Sequence, residues 1–259
     1  MQFSDKVALV TGAGSGIGKA TALRLAKGGA RVAVLSRTDE EINATRDEIV
    51  EAGGQAMAVS ADISDPDGMR AAVDRIMGDW GQIDIVVANA GINGVWAPID
   101  ELMPDEWDKT TTTNLGGTYL TLHLTVPHLK RAGGAIIIVS SINGNRTFTS
   151  AGATAYAATK AAQVAMAQQL ALELGPHKIR VNAVCPGAID TQIDDNTDKR
   201  NVAAAEIPVE FPEGDIPLTG GEPGKSGDVA ETIAFLASDA ARHITGVPVY
   251  VDGGQSLLR

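Results

Sequence analysis

Short apolar runs alternate with helix-forming stretches along most of this chain. The runs Val7–Val10, Arg31–Leu35, Gln55–Val59, Ile83–Ala88, Ala135–Ser140, Ile179–Val184 and Val247–Val251 have the length of strands. Between them, helices are expected at about 17–28, 39–52, 66–78, 104–131, 153–174 and 227–238. Near-continuous apolar strands alternating with helices imply a parallel sheet covered on both faces. No Pro/Ser-rich linker, repeat or low-complexity tract divides the chain. The expectation is therefore one α/β domain over residues 1–259, a Rossmann-like doubly wound sheet of about seven strands with ligands beyond the strands' C-terminal ends. Only residues 188–227 break the alternation. They hold nine acidic residues and prolines at 208, 212, 217 and 223, and are expected to form an irregular flap on the substrate side.

The first strand–helix junction carries the clearest chemistry. Val7–Val10 ends in Thr11 and then in Gly12, Gly14, Gly16 and Gly18, with the helical pattern resuming at Lys19. Glycines there leave backbone N–H groups unobstructed at a helix N-terminus, where the dipole also favours negative charge, and this geometry binds phosphate. Two familiar motifs fail. G-x-G-x-x-G would need glycine at Ile17 or Lys19; the P-loop would need glycine at Ala13 and a hydroxyl at Ala20. Ser15 also misses the nucleophile-elbow spacing, because Ala13 stands where its first glycine should be.

Composition narrows the partners. A net charge of −11 argues against a broad nucleic-acid or anionic-membrane surface. Cys185 is the single cysteine, which excludes an intramolecular disulfide and a thiolate metal cluster, and the four histidines lack partners at metal-ligand spacing. No apolar run reaches membrane-spanning length, and the first residues lack the pattern of a signal peptide, so a soluble, cytoplasmic protein is expected.

The end of the second strand bears on cofactor choice. In dinucleotide folds an acidic residue there holds the ribose hydroxyls, whereas a nearby Arg accepts a 2′-phosphate. Ser36-Arg37 occupies this point, favouring NADP(H) over NAD(H), although Asp39, Glu40 and Glu41 follow closely. Further on, Ser141 follows the fifth strand, and Tyr156 and Lys160 lie four apart in an alanine-rich helical segment, hence on one face. Alone, such a pair equally describes a core Tyr and a solvated Lys.

The order of these features carries a resemblance. Thr11-Gly12 with Gly16 and Gly18, then Asn89-Ala90-Gly91, Ser141, Tyr156 with Lys160, and Pro186-Gly187 follow one another as in the short-chain dehydrogenase/reductase family, which the chain resembles from Lys6 to Gly254 in its compact single-domain form. The resemblance implies that Gly12, Ser15, Gly16, Ile17 and Gly18 hold the pyrophosphate, and that Asp62 with Ile63 meets the adenine. Asn89, Ala90 and Gly91 would wall the adenosine ribose. Pro186, Gly187, the Ile189 main chain and the Thr191 hydroxyl would hold the nicotinamide carboxamide. It makes Tyr156 the acid/base, Lys160 its electrostatic support and a ribose ligand, Ser141 a donor to the substrate oxygen, and Asn114 the holder of a water that passes protons to Lys160.

The activity so implied is NADP(H)-preferring carbonyl reduction or secondary-alcohol oxidation by direct hydride transfer to or from a small molecule. Alternatives are a 3-oxoacyl-acyl-carrier-protein reductase, an NAD-dependent sugar or polyol dehydrogenase, and a non-catalytic dinucleotide sensor, against which the acid/base set argues. The resemblance further implies a homotetramer or homodimer packed through the helices bearing Asn114 and Tyr156. The interval from Ser141 to Tyr156 is longer than the family's usual one, and Arg146 and Phe148 within it, with Trp96, are candidate substrate contacts as well as candidate packing residues.

Overall fold

Residues 2–191, 193, 197–207 and 216–258 are described by the computed structural model. In chain order they form β1 (Val7–Thr11), α1 (Gly16–Lys27), β2 (Arg31–Ser36), α2 (Asp39–Glu51), β3 (Gln55–Ser60), α3 (Pro66–Trp80), β4 (Ile85–Ala88) and β5 (Gly94–Trp96). There follow α4 (Pro104–Thr111), α5 (Gly117–Leu129), β6 (Gly134–Val139), α6 (Thr154–Leu174), β7 (Ile179–Pro186) and β8 (Ile189–Asp190). The chain continues with β9 (Thr197–Lys199), β10 (Gly224–Lys225), α7 (Ser226–Ala237) and β11 (Pro248–Val251).

Seven of these strands make one parallel sheet in the order β3-β2-β1-β4-β6-β7-β11. Alternate side chains of each strand feed opposite layers. Leu9, Leu35, Ile136 and Ile138 pack with α3, α5 and α6, whereas Val10, Val32, Val34 and Ile137 pack with α1, α2 and α7. Strand order reverses between β1 and β4, so a crevice opens where their C-terminal ends diverge. The seven strands and the Rossmann-like architecture agree with the sequence pattern, with element ends displaced by one or two residues.

Local chemistry explains several boundaries. Asp65 starts α3 by accepting from the N–H groups of Asp67 and Gly68, both at 3.2 Å, with Pro66 at the first helical position. Gly81, at φ +75°, ends it.

The helix expected over 104–131 is a correction. It divides into α4 and α5 around a π-helical turn at Thr112–Gly116. This is a threonine-rich stretch in which Thr110 and Thr111 hydroxyls bond back to carbonyls of Glu106 and Trp107 at 3.0 Å, and the Thr118 hydroxyl donates to Asn114 O at 2.7 Å. Hydroxyls competing for main-chain carbonyls loosen the regular ladder and allow such a bulge.

The irregular stretch is also more ordered than its composition implies. β8 pairs with β10, β9 pairs with β5, both parallel, and a 3₁₀ turn covers Val202–Ala205. Asp194, Asp195, Pro208, Glu210, Pro212, Glu213 and Asp215 lie outside the described residues.

Candidate active site

A cleft of about 450 Å³ lies over the C-terminal ends of β1, β2 and β4. Its floor is the glycine turn. Gly12 and Gly16 adopt φ +65° and +52°, which only glycine takes without strain. A Cβ on Gly18 would stand 2.0 Å from Gly12 O, so the turn closes only without one. The first bond of α1 runs from Lys19 N–H to Ser15 O, and the Ser15 side chain makes no capping bond. The N–H groups of Gly16, Ile17 and Gly18 therefore lack helical partners, and all three residues line the cleft. These residues fit a dinucleotide pyrophosphate. Thr191 borders the same turn, 3.4 Å from where a Gly16 Cβ would be.

One wall is set by Thr11, whose part the sequence reading left unassigned. Its buried hydroxyl accepts from the N–H groups of Asn89 and Ala90 at 3.0 and 3.1 Å, and Asn89 Nδ2 donates to Thr11 O at 2.9 Å. The β1 and β4 ends are thereby locked together. Only its place at the strand end, just before the first glycine, signals this.

At the far end of the cleft stand Ser36, Arg37, Asp62 and Ile63. Arg37 pairs with Asp62 at 3.5 Å, and Asp62 also accepts from the Ser64 N–H at 2.9 Å and hydroxyl at 2.6 Å. Burial pushes the Asp62 carboxyl up, but the Ser64 donors and the Arg37 guanidinium outweigh it and hold the group below its ordinary value. Glu41 leans over Gly14, so a carboxylate borders this end too.

The acid/base candidates abut the opposite end through Gly91. A Cβ there would sit 3.1 Å from Asn114 Oδ1 and 3.7 Å from Lys160 Nζ. Lys160, almost fully buried, donates from Nζ to Val139 O at 2.9 Å, and its ammonium lies 5.5 Å from the centre of the Tyr156 ring. Burial takes its pKa from 10.5 down to about 8. The neighbouring Cys185 thiol is pushed up by burial to about 11 and stays protonated. Tyr156 is buried as well, with the Trp96 ring 6.4 Å away.

The two serines after β6 differ in kind. Ser140 Oγ donates to Lys160 O at 2.7 Å and so ties α6 to the strand. Ser141 Oγ accepts from Asn143 N–H at 3.2 Å, which leaves its own proton to donate. Asn114 is fully enclosed. Its amide bonds Ile92 N–H and C=O at 2.8 and 2.9 Å and Thr159 Oγ1 at 3.2 Å, and its carbonyl accepts from Thr118 and Gln163. In this structure Asn114 braces the turn after β4 against α6.

Pro186 ends β7, Gly187 N–H donates to Val251 O at 3.0 Å, and Ile189 of β8 pairs with Gly224 of β10. Of the three substrate candidates, Trp96 is brought beside Tyr156. Arg146 stacks on Tyr250, 3.6 Å from the ring centre, and reaches Ser256 Oγ at 3.4 Å, while Phe148 is 69% exposed. Among the described residues no group of three His, Cys, Asp or Glu gathers to hold a metal, and no helix is long and apolar enough to cross a membrane.

The short chain dehydrogenase family model matches residues 6–202. The chain belongs to the short-chain dehydrogenase family. It is an oxidoreductase of that family, acting on hydroxyl or carbonyl groups. Among solved short-chain dehydrogenases, it is 66% identical to a 3-ketoacyl-ACP reductase from Sinorhizobium meliloti 1021, covering 98% of this chain and 100% of that one with a TM-score of 0.95. A 3-ketoacyl-(acyl-carrier-protein) reductase from Brucella melitensis complexed with NADH is 36% identical, covering 98% and 99%, with a TM-score of 0.86. An L-rhamnose 1-dehydrogenase (NAD(P)(+)) from Azotobacter vinelandii is 38% identical, covering 98% of each chain. The relatives thus carry names that span both dinucleotides and unlike substrates.

Proposed function

We propose that the protein is an NADP(H)-preferring carbonyl reductase, working reversibly as a secondary-alcohol dehydrogenase. The observation that carries this reading is the position of Gly91, which lines the dinucleotide cleft and whose Cβ, were there one, would stand 3.7 Å from Nζ of Lys160, the partner of Tyr156 on α6. The bound nicotinamide supplies or accepts the hydride. Tyr156 gives its phenolic proton to the carbonyl oxygen in reduction and removes the alcohol proton in oxidation. An isolated phenol titrates near about 10, so base chemistry at neutral pH needs the nearby Lys160 charge. The Ser141 hydroxyl donates to the oxygen that gains negative charge. Main-chain N–H groups of Gly16, Ile17 and Gly18 hold the pyrophosphate, and Ser36-Arg37 favours the 2′-phosphate.

A specific observation favours a second reading. The 66% identity to a 3-ketoacyl-ACP reductase makes β-ketoacyl thioesters the first substrates to try. A panel of ketones, β-ketoacyl thioesters and sugars, each assayed with NADPH and NADH, separates the readings. Tyr156→Phe is expected to lower turnover on any active substrate by roughly a thousandfold, with dinucleotide affinity nearly intact. Near-normal rates in that variant would exclude the mechanism, and fastest turnover of a sugar with NADH would exclude the carbonyl-reductase reading.

A further inference from the structure

The segment after residue 196 is joined to the helix that leads into the Asn114 turn by a contact no local motif announces. Arg200 and Glu106, 94 residues apart, meet end-on through two parallel bonds: Nη1 to Oε1 at 2.8 Å and Nη2 to Oε2 at 2.7 Å. The same Oε2 accepts from Met103 N–H at 2.9 Å, so the carboxylate that starts α4 is also the clamp. The Arg200 side-chain bonds hold the Glu106 carboxyl down to about 2, which keeps the pair ionised throughout any assay range. Around the clamp, Arg200 N–H donates to Trp96 O at 2.9 Å, Asn93 Nδ2 donates to Thr197 Oγ1 at 2.7 Å, and Lys199 Nζ stands 5.6 Å from the Trp96 ring centre. On its other side the Trp96 strand rests on the loop before α6, Ala97 N–H donating to Gly152 O at 3.2 Å. β5 is therefore held between the clamped segment and the loop that delivers Tyr156.

We propose that Glu106 and Arg200 are positioning residues for the carbonyl substrate: paired with each other, they hold residues 197–201 against β5 and so fix the Trp96 ring beside Tyr156. The inference rests on the reading of Tyr156 as the acid/base. The Tyr156–Lys160 geometry is set by α6 and β6, and the dinucleotide cleft by the ends of β1, β2 and β4, and the Glu106–Arg200 pair bonds to none of these elements. Loosening it should affect substrate binding and leave the other two functions in place. Arginine is required for this bidentate pair, because a lysine ammonium cannot present two parallel N–H groups to one carboxylate.

The test compares Glu106→Gln, Arg200→Met, Arg200→Lys and the double variant Glu106→Gln/Arg200→Met, on the best substrate of the panel with saturating dinucleotide. Expected is a rise in substrate KM of roughly tenfold in Glu106→Gln and Arg200→Met, with kcat within about twofold and dinucleotide Kd unchanged, since binding lost equally from ground and transition state raises KM alone. Arg200→Lys should recover part of the loss, and the double variant should be no worse than the worse single one. A readout without turnover accompanies these: trypsin should cut after Lys199 and Arg200 faster in Glu106→Gln than in the parent. An unchanged KM in both single variants, or a fall in kcat and dinucleotide affinity along with KM, would overturn the proposal. Failure of the acid/base reading shows separately, as retained turnover in Tyr156→Phe.

Discussion

Lys160 carries a stability consequence as well as a chemical one. Its pKa falls from 10.5 in the unfolded chain to about 8 in the folded one because burial disfavours the ammonium. Between those values the unfolded chain holds the extra proton, so this site's contribution to stability rises with pH from 8 to 10.5 and is lowest below 8. About 2.5 pK steps correspond to about 3 kcal/mol of destabilisation at neutral pH. Lys160→Met removes that penalty but leaves Val139 O without its donor, a loss of about 1–3 kcal/mol, so the two effects nearly cancel at pH 7. As pH rises to 9.5 the parent recovers while the variant does not, and the variant's stability relative to the parent should drop by about 2 kcal/mol. Urea unfolding of both proteins at pH 7 and 9.5 measures this. A constant difference would mean that Lys160 is not desolvated. The Tyr156–Lys160 pair itself was legible from its helical spacing, but its burial was not, because the alanines around it mark no single face.

At the scale of elements, the loop between β6 and α6 shows how tightly the acid/base helix is docked. Gly144 sits in the short turn at Ile142–Gly144, and a Cβ there would lie 2.7 Å from the carbonyl carbon of Lys160 and 2.9 Å from the N of Ala161. Those are main-chain atoms that cannot rotate aside. Gly144→Ala should therefore push α6 off the strand, costing about 1–3 kcal/mol and lowering kcat far more than dinucleotide affinity. Thermal unfolding and a fluorescence titration with the dinucleotide check the two halves, and a fully active, equally stable variant would show that the helix has room. The seven strands of the central sheet and six helical regions were readable because burial on both sides leaves an unbroken apolar run, and helices break it; the short strands β5, β8, β9 and β10 were not. The π-helical turn was not, since its hydroxyl-to-carbonyl bonds depend on which threonines face inward. Nor was the Glu106–Arg200 clamp, which joins residues 94 apart through a sheet pairing of three residues. Arg146, a candidate on sequence position alone, is engaged by Tyr250, a contact that only the fold supplies.

Across the whole molecule, the residues proposed to choose the dinucleotide and those proposed to carry the hydride chemistry stand toward opposite ends of one cleft. Ser36-Arg37 stands at the end of β2, toward the β3 edge of the sheet, whereas Tyr156 and Lys160 are held near β6 on the other side of the β1–β4 switch point. A change at Arg37 should therefore alter which dinucleotide binds without altering what happens once it is bound. Arg37 is largely exposed and shares its charge with Asp62 at 3.5 Å, so its guanidinium keeps donors for a second anion. Arg37→Asp removes a charge-assisted partner, worth about 1.5–3 kcal/mol, and places a carboxylate where a 2′-phosphate would lie. The kcat/KM for NADPH should fall roughly ten- to a hundredfold, in line with about 1.4 kcal/mol per factor of ten. The value for NADH should hold or rise, and kcat at saturating dinucleotide should stay within about twofold of the parent. On the proposed reading Glu41, leaning over Gly14 in the same cleft, opposes the phosphate, so a preference for NADP(H) is expected to be partial, a balance of two opposed charges. Steady-state kinetics with both dinucleotides decide the matter: unchanged selectivity in Arg37→Asp would remove Arg37 from cofactor recognition and leave its pairing with Asp62 as its whole role.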